Sequence, residues 1–175
     1  ISDFCAFLMP IVKTWGADTA FEVSNTAIQV FGGAGYTREW PVEQALRDAR
    51  VFSIYEGTSG IQALDLLHRR LWRDESRGLN YFLALARADV AEFSIANSGA
   101  AARTAEVLDL LETCSSQLTP NQIAMAEAGA TSFLQLAALA VTSWIALRCV
   151  ANRNGSSAAR KSASAGEYWL QVVPA

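Results

Sequence analysis

Residues 29–36 read QVFGGAGY, residues 41–50 read PVEQALRDAR, and residues 55–62 read YEGTSGIQ. The Gly32-Gly33 pair follows an apolar helical pattern and is typical of a helix end, because glycine adopts the backbone conformations that close a helix. No strand pattern precedes the pair, so it is not a dinucleotide-binding fingerprint. Taken locally, Glu56 beside a glycine is an ordinary solvated loop residue. These stretches predict helix, loop, short helix, loop and helix in succession.

Upstream of this region, apolar side chains recur at three- and four-residue spacing, which predicts helices. The first group consists of Phe4, Phe7, Leu8, Ile11, Val12 and Trp15. Pro10 lies inside this group, and a proline within a helix removes a hydrogen bond and clashes with the preceding turn. We therefore predict one helix that ends at Met9 and a second that begins at Pro10 and continues to the Gly32-Gly33 pair.

Downstream, helical patterns follow one another without an alternating strand pattern. A short helix is predicted from 42 to about 52, and Thr58 or Ser59 can cap the next one, whose apolar stripe is Ile61, Leu64, Leu67 and Leu71. A charged, glycine-containing break follows at 74–78. Further helices are predicted at about 79–97, 100–118, 119–152 and 158–173, with a turn at 154–157. The fold class is therefore all-α, a helical bundle in which abundant alanine favours close helix packing.

The composition narrows the possible classes of function. With 51% hydrophobic residues and a net charge of -3, the chain has material for a core and lacks the basic character of nucleic-acid-binding proteins. Three separated cysteines and a single histidine argue against a disulfide framework or a metal site. The most apolar window, 133–150, retains polar residues and is interpreted as a buried helix, not a membrane span. The chain begins within a helical pattern and without Met, which favours a piece of a longer protein.

Together and in this order, the three quoted stretches resemble the C-terminal helical domain of the acyl-CoA dehydrogenase family. That family carries a Gln-x-x-Gly-Gly-x-Gly-Tyr stretch, then Arg-Asp-Ala, then a Tyr-Glu-Gly-Thr loop. The resemblance covers about residues 8–71, and the stretches LMPIVKTW and EGTSGIQALDLL are most similar to the larger branch of the family, which includes the 3-methylmercaptopropionyl-CoA dehydrogenases. It implies two domains: the end of the C-terminal helical domain, with its catalytic loop, at 1–76, and an additional C-terminal helical extension at 77–175.

The resemblance implies that Glu56 is the catalytic base, which removes the proton next to a thioester carbonyl while a hydride leaves the neighbouring carbon for a flavin. A carboxylate gains proton affinity when burial beside an apolar acyl chain and a flavin disfavours its charged form. No Lys or Arg within YEGTSGIQ opposes this effect. The family also implies that the Glu56 N–H donates to the thioester oxygen and that Gly57 leaves room for the substrate. Tyr55 is either part of the acyl pocket or a core aromatic.

For the cofactor, which the resemblance implies is FAD, two groups of contacts are expected. Thr58 matches a family residue that contacts the cofactor near its phosphates, although helix capping alone also explains a threonine there. Gln29, Gly32 and Gly33 match a segment that reaches the adenosine-diphosphate end of FAD in a neighbouring subunit, where small residues allow close approach. The sequence departs from many smaller members at Gly60, where they carry a glutamine that helps to hold the cofactor.

The resemblance further implies an oxidoreductase of fatty acid β-oxidation that converts an acyl-CoA to the trans-2-enoyl-CoA. The implied partners are the acyl-CoA substrate, an electron-transfer flavoprotein as acceptor, and further copies of the chain in a homodimer or homotetramer in the bacterial cytoplasm. No metal, nucleic acid or membrane span is expected. Most flavin and CoA contacts of the family lie outside this stretch, so the chain alone is expected to be inactive.

Two alternatives stay open. One is a non-catalytic helical assembly module of a flavoprotein with this fold, and the other is a relative with different chemistry. The acidic composition disfavours the DNA-associated alkylation-damage-response branch, and Glu56 differs from the Asp that nitroalkane-oxidising relatives use as base. Arg47, Asp48 and Arg50 are interpreted as parts of a salt-bridged helix, and His68 as a surface residue.

Overall fold

The structure is a computed structural model that describes residues 1–95, 97–152 and 156–172. Within these residues the chain forms seven α-helices and no strand, which confirms the predicted all-α fold. The helices are α1 (Ser2–Phe31), α2 (Val42–Val51), α3 (Ser59–Asp65), α4 (Arg77–Phe93), α5 (Ser98–Gln117), α6 (Ile123–Ala151) and α7 (Ser157–Val172). Short 3-10 turns, Gly32–Tyr36 and Pro120–Gln122, follow α1 and precede α6.

Helix α1 runs without interruption through Pro10, so the predicted break between Met9 and Pro10 is wrong. Pro10 is buried together with Phe7 and Ile11 on the face that packs against the other helices. A proline inside a helix costs about 3 kcal/mol, whereas each fully buried large apolar side chain contributes about 1.5–3 kcal/mol. The packing of this face therefore outweighs the local penalty, and the helix continues to Phe31.

The predicted boundaries around the two glycine-containing loops are confirmed. Gly32 ends α1 with φ 60° and ψ -144°, a backbone conformation open almost only to glycine. Thr58 caps α3 through its hydroxyl oxygen, which accepts a hydrogen bond from the Ile61 N–H at 3.4 Å. Both ends are therefore specified by residues next to them in sequence.

Helix α3 continues beyond Asp65 as π-helical turns over Leu66–Arg73, a feature that the apolar spacing did not predict. The wider turns bring residues five apart into contact: Arg70 donates to the Asp65 carboxylate at 3.2 Å. At the end of the segment, the Asp74 N–H donates to the Arg69 carbonyl at 2.8 Å. The widening keeps Leu66, Leu67 and Leu71 buried in the core.

A hydrophobic core joins the described helices on both sides of residue 76. Phe7 of α1 stacks on Phe82 of α4 with ring centroids 5.9 Å apart, and Phe82 meets Trp144 of α6 edge-on at 5.7 Å. Leu67, which follows α3, belongs to the same core. The division of the chain into 1–76 and 77–175 stays a prediction, and the two segments share this core.

Helix α6 lies at the centre of the bundle, against α5 on one side and α7 on another. The stretch Pro120–Ala151 is long and apolar enough to cross a bilayer by length and composition, but 56% of its most apolar window is buried within the described chain. Most of its buried residues lie between 133 and 150, as expected for a buried helix.

The last helix, α7, begins at Ser157, next to its predicted start at 158. Of the turn predicted at 154–157, residues 154 and 155 lie outside the described ranges and Ser157 already belongs to α7. Residue 173, at the predicted end of α7, also lies outside those ranges.

Candidate active site

Glu56 and Gly57 form a sharp reversal in the loop between α2 and α3. Both have positive φ, 54° for Glu56 and 90° for Gly57, which places two consecutive residues in the left-handed region. The Tyr55 N–H donates to the Val51 carbonyl at 3.1 Å, so the end of α2 leads directly into this turn. The φ of 90° requires glycine at position 57, and the space is also tight, because an added Cβ would lie 3.1 Å from the Gln62 side-chain nitrogen.

Two side chains hold the carbonyl groups of this turn. The Gln62 Nε2 group donates to the Glu56 carbonyl at 3.0 Å. The Lys13 ammonium, from the middle of α1, donates to the Gly57 carbonyl. Sequence reasoning missed Lys13 because it lies 44 residues from Gly57 along the chain. Its only sequence signal is rarity, since Lys13 and Lys161 are the two lysines of the chain.

The Glu56 side chain itself is exposed in this chain. Its backbone N–H finds no hydrogen-bond partner among the described residues. The burial expected for a catalytic glutamate depends on an acyl chain and a flavin, neither of which belongs to the polypeptide, so that expectation stays a prediction. What the chain provides is a carboxylate and an amide N–H on a turn that is fixed by its neighbours.

An apolar cleft lies beside the turn, between α1 and the end of α2. It has a volume of about 280 Å³ and is lined by Val12, Lys13, Gly16, Ala17, Ala20, Phe52 and Tyr55. The Phe52 and Tyr55 rings contact each other at a centroid distance of 6.0 Å. Tyr55 is 47% exposed, so it lies on the cleft wall and not in the core, and its place in an acyl pocket stays a prediction.

The second predicted group of cofactor contacts lies far from this turn. Gln29 is 16 residues beyond Lys13 on the same helix, or roughly 24 Å at the helical rise of about 1.5 Å per residue. Gln29, Gly32 and Gly33 are all exposed at that end of α1. The structure therefore does not bring them to Glu56, and their contact with a cofactor stays a prediction.

Thr58 and Gly60 border a wide groove between α3 and α6. The groove has a volume of about 630 Å³. Its α6 wall is lined by Ala124, Glu127, Ala128, Ala130 and Thr131. Sequence reasoning did not predict that a helix of the proposed extension would form one wall beside Thr58. The small residues of α6 leave this space open.

Both loops lie within a segment that matches a known protein family: the family model of the acyl-CoA dehydrogenase C-terminal domain matches residues 6–71. Residues 6–71 belong to the acyl-CoA dehydrogenase C-terminal domain family. The matched segment contains the turn at Glu56, the Lys13 side chain that holds it and the distant Gly32-Gly33 pair. The resemblance based on the three motifs is therefore confirmed.

Individual acyl-CoA dehydrogenases extend the match. The chain is 38% identical over 148 residues to a 3-methylmercaptopropionyl-CoA dehydrogenase of Ruegeria pomeroyi, an alignment that covers 79% of this chain and 24% of that protein. It is 39% identical over 72 residues to a broad-specificity linear acyl-CoA dehydrogenase of Mycobacterium tuberculosis, covering 41% of this chain and 12% of that protein. A short-chain-specific acyl-CoA dehydrogenase of Clostridium acetobutylicum is 50% identical over 52 residues, covering 30% and 14%.

The chain therefore spans about a quarter of the length of the Ruegeria relative, and less of the other two. The alignment with the Ruegeria relative is more than twice as long as the family segment, so it reaches into residues 77–175. This supports the predicted resemblance to the larger branch with a helical extension.

The predicted salt-bridged helix is confirmed in part. Arg47 pairs with Glu43 at 3.0 Å on α2. Arg50 instead donates to the Ser53 hydroxyl oxygen, and no ion pair of Asp48 is found among the described residues.

The His68 side chain is 35% exposed, and the sequence did not predict its contact with another helix: His68 Nε2 lies 2.9 Å from the Glu127 carboxylate of α6. Its ring also contacts Trp72 edge-on at 4.8 Å. His68 is thus a contact between two helices, brought about by the packing of α3 on α6.

Proposed function

We propose that this chain provides the catalytic base, Glu56, of an FAD-dependent acyl-CoA dehydrogenase that converts an acyl-CoA thioester to the trans-2-enoyl-CoA. The observation that carries the proposal is the left-handed turn of Glu56 and Gly57, held beside an apolar cleft within the family segment. A glutamate in this backbone conformation is uncommon and occurs where the surroundings enforce it, often at functional sites.

The chemistry follows from the groups on the turn. The Glu56 carboxylate accepts the proton from the carbon next to the thioester carbonyl, and the electron pair of that C–H bond forms the new carbon–carbon double bond. The Glu56 N–H, which has no partner among the described residues, donates to the thioester oxygen and stabilises its developing negative charge. Bound FAD would supply the acceptor for the hydride from the neighbouring carbon. Tyr55 lines the space for the acyl chain, and Gly57 allows the thioester to approach the backbone.

The glycines fit contact with a cofactor such as FAD. At Gly33 an added Cβ would meet no described atom within 4 Å, and φ is not in the left-handed region, so no described residue of the chain requires glycine there. Close approach of an external group explains Gly33. Gln29, Gly32 and Gly33 would hold the adenosine-diphosphate end of a cofactor in a neighbouring subunit, and Thr58 would contact the cofactor at the Glu56 site.

The remaining parts of the proposal concern partners. The substrate is an acyl-CoA, the electron acceptor an electron-transfer flavoprotein, and the working assembly a homodimer or homotetramer in the bacterial cytoplasm. The separation of roughly 24 Å between Lys13 and Gln29 along α1 supports an assembly in which one chain contributes to two cofactor sites. The pathway is fatty acid β-oxidation.

The test is Glu56→Gln in the complete product of the gene that encodes this chain. The substitution keeps the shape of the side chain and removes the base, so turnover of butyryl-CoA or octanoyl-CoA with a dye as acceptor should fall by about 100- to 10,000-fold. Flavin absorbance should be retained. Glu75→Gln is the matched control, because Glu75 is also an exposed glutamate with positive φ. A Glu56→Gln protein that turns over within twofold of the parent would reject the role of Glu56.

An assembly module without catalysis is the second candidate, favoured by apolar side chains that are exposed on α1 and the turn after it, including Val23, Val30 and Tyr36. The two candidates differ in one outcome. An assembly module of a flavoprotein forms oligomers and retains flavin, but its complete protein does not reduce a dye with any acyl-CoA.

A further inference from the structure

We propose that Lys13 and Gln62 are positioning residues that hold the Glu56 turn in its left-handed conformation and thereby aim both the carboxylate and the backbone N–H of Glu56. The inference rests on the proposed role of Glu56 as base. It adds two residues, one of them on a distant helix, whose effect on the reaction passes through the backbone of the turn.

The geometry links each side chain to a different peptide group. Gln62 Nε2 donates to the Glu56 carbonyl, which belongs to the peptide between residues 56 and 57. Lys13 Nζ donates to the Gly57 carbonyl, which belongs to the next peptide along the chain. Fixing two successive peptide planes fixes the rotation of the backbone between them. These are the rotations at Gly57. The Glu56 side chain and N–H are attached through φ and ψ of Glu56 to the first of the two held peptides, so that peptide is the fixed base from which they project.

Both donors stand on rigid supports. Lys13 is half-buried on α1, and its neighbours Ile11 and Thr14 are buried in the packed face of that helix. Gln62 is half-buried in the first turns of α3, next to the buried Ala63. The turn is thus tied to α1 on one side and to α3 on the other. A site on tied backbone is more precise than one on a free loop.

The lysine also has a chemical reason to be there. An ammonium group only donates hydrogen bonds, so it selects a carbonyl oxygen and cannot be satisfied by the turn's N–H groups. The N–H of Glu56 is left without a partner among the described residues, as a donor to a substrate oxygen must be. Lys13 also lines the cleft next to Tyr55, so its stem borders the space proposed for the acyl chain.

The test uses Lys13→Met, Lys13→Arg and Gln62→Met in the complete gene product. Methionine matches the length of Gln62, is one atom shorter than Lys13 and removes the donor of each, whereas arginine keeps a donor at position 13. We expect Lys13→Met and Gln62→Met to lower kcat for butyryl-CoA or octanoyl-CoA by about 10- to 100-fold, the effect of a misplaced catalytic group. Lys13→Arg should recover most of the loss.

The second readout separates positioning from stability. Exchange of the substrate's α-proton with deuterated solvent, followed by mass spectrometry, reports proton removal alone and should slow in parallel with kcat. Flavin content and melting temperature should stay near those of the parent. Lys161→Met, at an exposed position of α7, is the matched control for Lys13→Met. Gln135→Met, at an exposed position of α6, is the matched control for Gln62→Met.

Three outcomes decide the inference. Turnover and exchange within twofold of the parent in both Lys13→Met and Gln62→Met would overturn it, provided that Glu56→Gln is inactive. An active Glu56→Gln protein would instead reject the proposed function as a whole. Lys13→Met is set aside as evidence if circular dichroism shows that it does not fold. In that case the inference requires that Gln62→Met loses activity and that Lys13→Arg retains it.

Discussion

At the scale of the residue, Glu56 is held in a conformation that it does not prefer. A non-glycine residue in the left-handed helical region costs about 1–2 kcal/mol. A neutral hydrogen bond contributes about 0.5–1.5 kcal/mol, and one that involves a charged group about 1.5–3 kcal/mol. The bonds from Gln62 and Lys13 therefore offset the cost together. Ser76, with φ 55° before α4, is held in the same way, because its hydroxyl donates to the Leu71 carbonyl at 3.1 Å.

Gly78 is required by a close approach and not by its backbone conformation. At this position α4 crosses α1, and an added Cβ would lie 2.6 Å from the Cβ of Phe7, in the core. We predict that Gly78→Ala lowers the free energy of unfolding of the 1–175 chain by about 1–3 kcal/mol, as overpacking does. Urea unfolding followed by circular dichroism measures this change.

Gly99→Ala provides the comparison for that experiment, because a Cβ at Gly99, in the first turn of α5, meets nothing within 4 Å. Its stability should be unchanged or slightly raised, since alanine is the better helix former. Equal losses for the two substitutions would contradict the crossing of α1 and α4.

At the scale of the element, a polar contact within the apolar bundle links α4 to α6. The Asp89 carboxylate is only 9% exposed and accepts hydrogen bonds from Trp144 Nε1 at 2.6 Å and from Arg148 at 2.9 Å. The Arg148 guanidinium also lies over the Trp144 ring, 5.2 Å from its centroid. Asp89 thus fixes the register of the two helices at one point of the core.

We predict that Asp89→Ala lowers the free energy of unfolding by about 2–3 kcal/mol, because it leaves the buried indole N–H without a partner. Asp109→Ala is the matched control. Asp109 pairs with Arg87 at 2.7 Å on the surface, where its hydrogen bond raises the pKa of the arginine against the opposing effect of burial. An exposed pair contributes about 0–1 kcal/mol, so Asp109→Ala should lower the free energy of unfolding less than Asp89→Ala does. Equal losses in the two variants would contradict the role given to the buried Asp89 carboxylate. Urea unfolding of both variants gives the values.

At the scale of the whole molecule, one group of exposed apolar side chains lies toward the Gly32 end of α1. Apolar side chains are exposed along the second half of α1 and the turn after it, with Val23 at 64%, Val30 at 80% and Tyr36 at 81%. Exposed apolar groups of this kind mark surfaces that pack against other protein. The same end of the molecule carries Gln29 and Gly33, the residues proposed to reach the cofactor of a neighbouring subunit.

We predict that Val30→Glu in the complete gene product shifts the assembly toward smaller species in sedimentation velocity, because a carboxylate at a buried contact is costly to desolvate. Ile95→Glu, at a 95% exposed position after α4, introduces the same charge elsewhere and should leave the assembly intact. An unchanged sedimentation coefficient in Val30→Glu would exclude this surface as the subunit contact.

The amino-acid sequence determined the features that depend on neighbouring residues. The glycine end of α1, the Thr58 cap of α3 and the all-helical character follow from local backbone preference and from apolar spacing, and both are readable without a partner segment. The three ordered motifs were also sufficient to identify the family, since each is a short continuous stretch.

Only the tertiary structure decided the rest, because the deciding contacts join residues that are far apart along the chain. The burial of Pro10 overrode its local penalty, and the π-helical turns appear where the apolar spacing predicted an ordinary α-helix. Packing against α6 brought His68 to Glu127. The bond from Lys13 to Gly57 spans 44 residues. Its free energy depends on the packing of α1 against the loop, which no local pattern encodes.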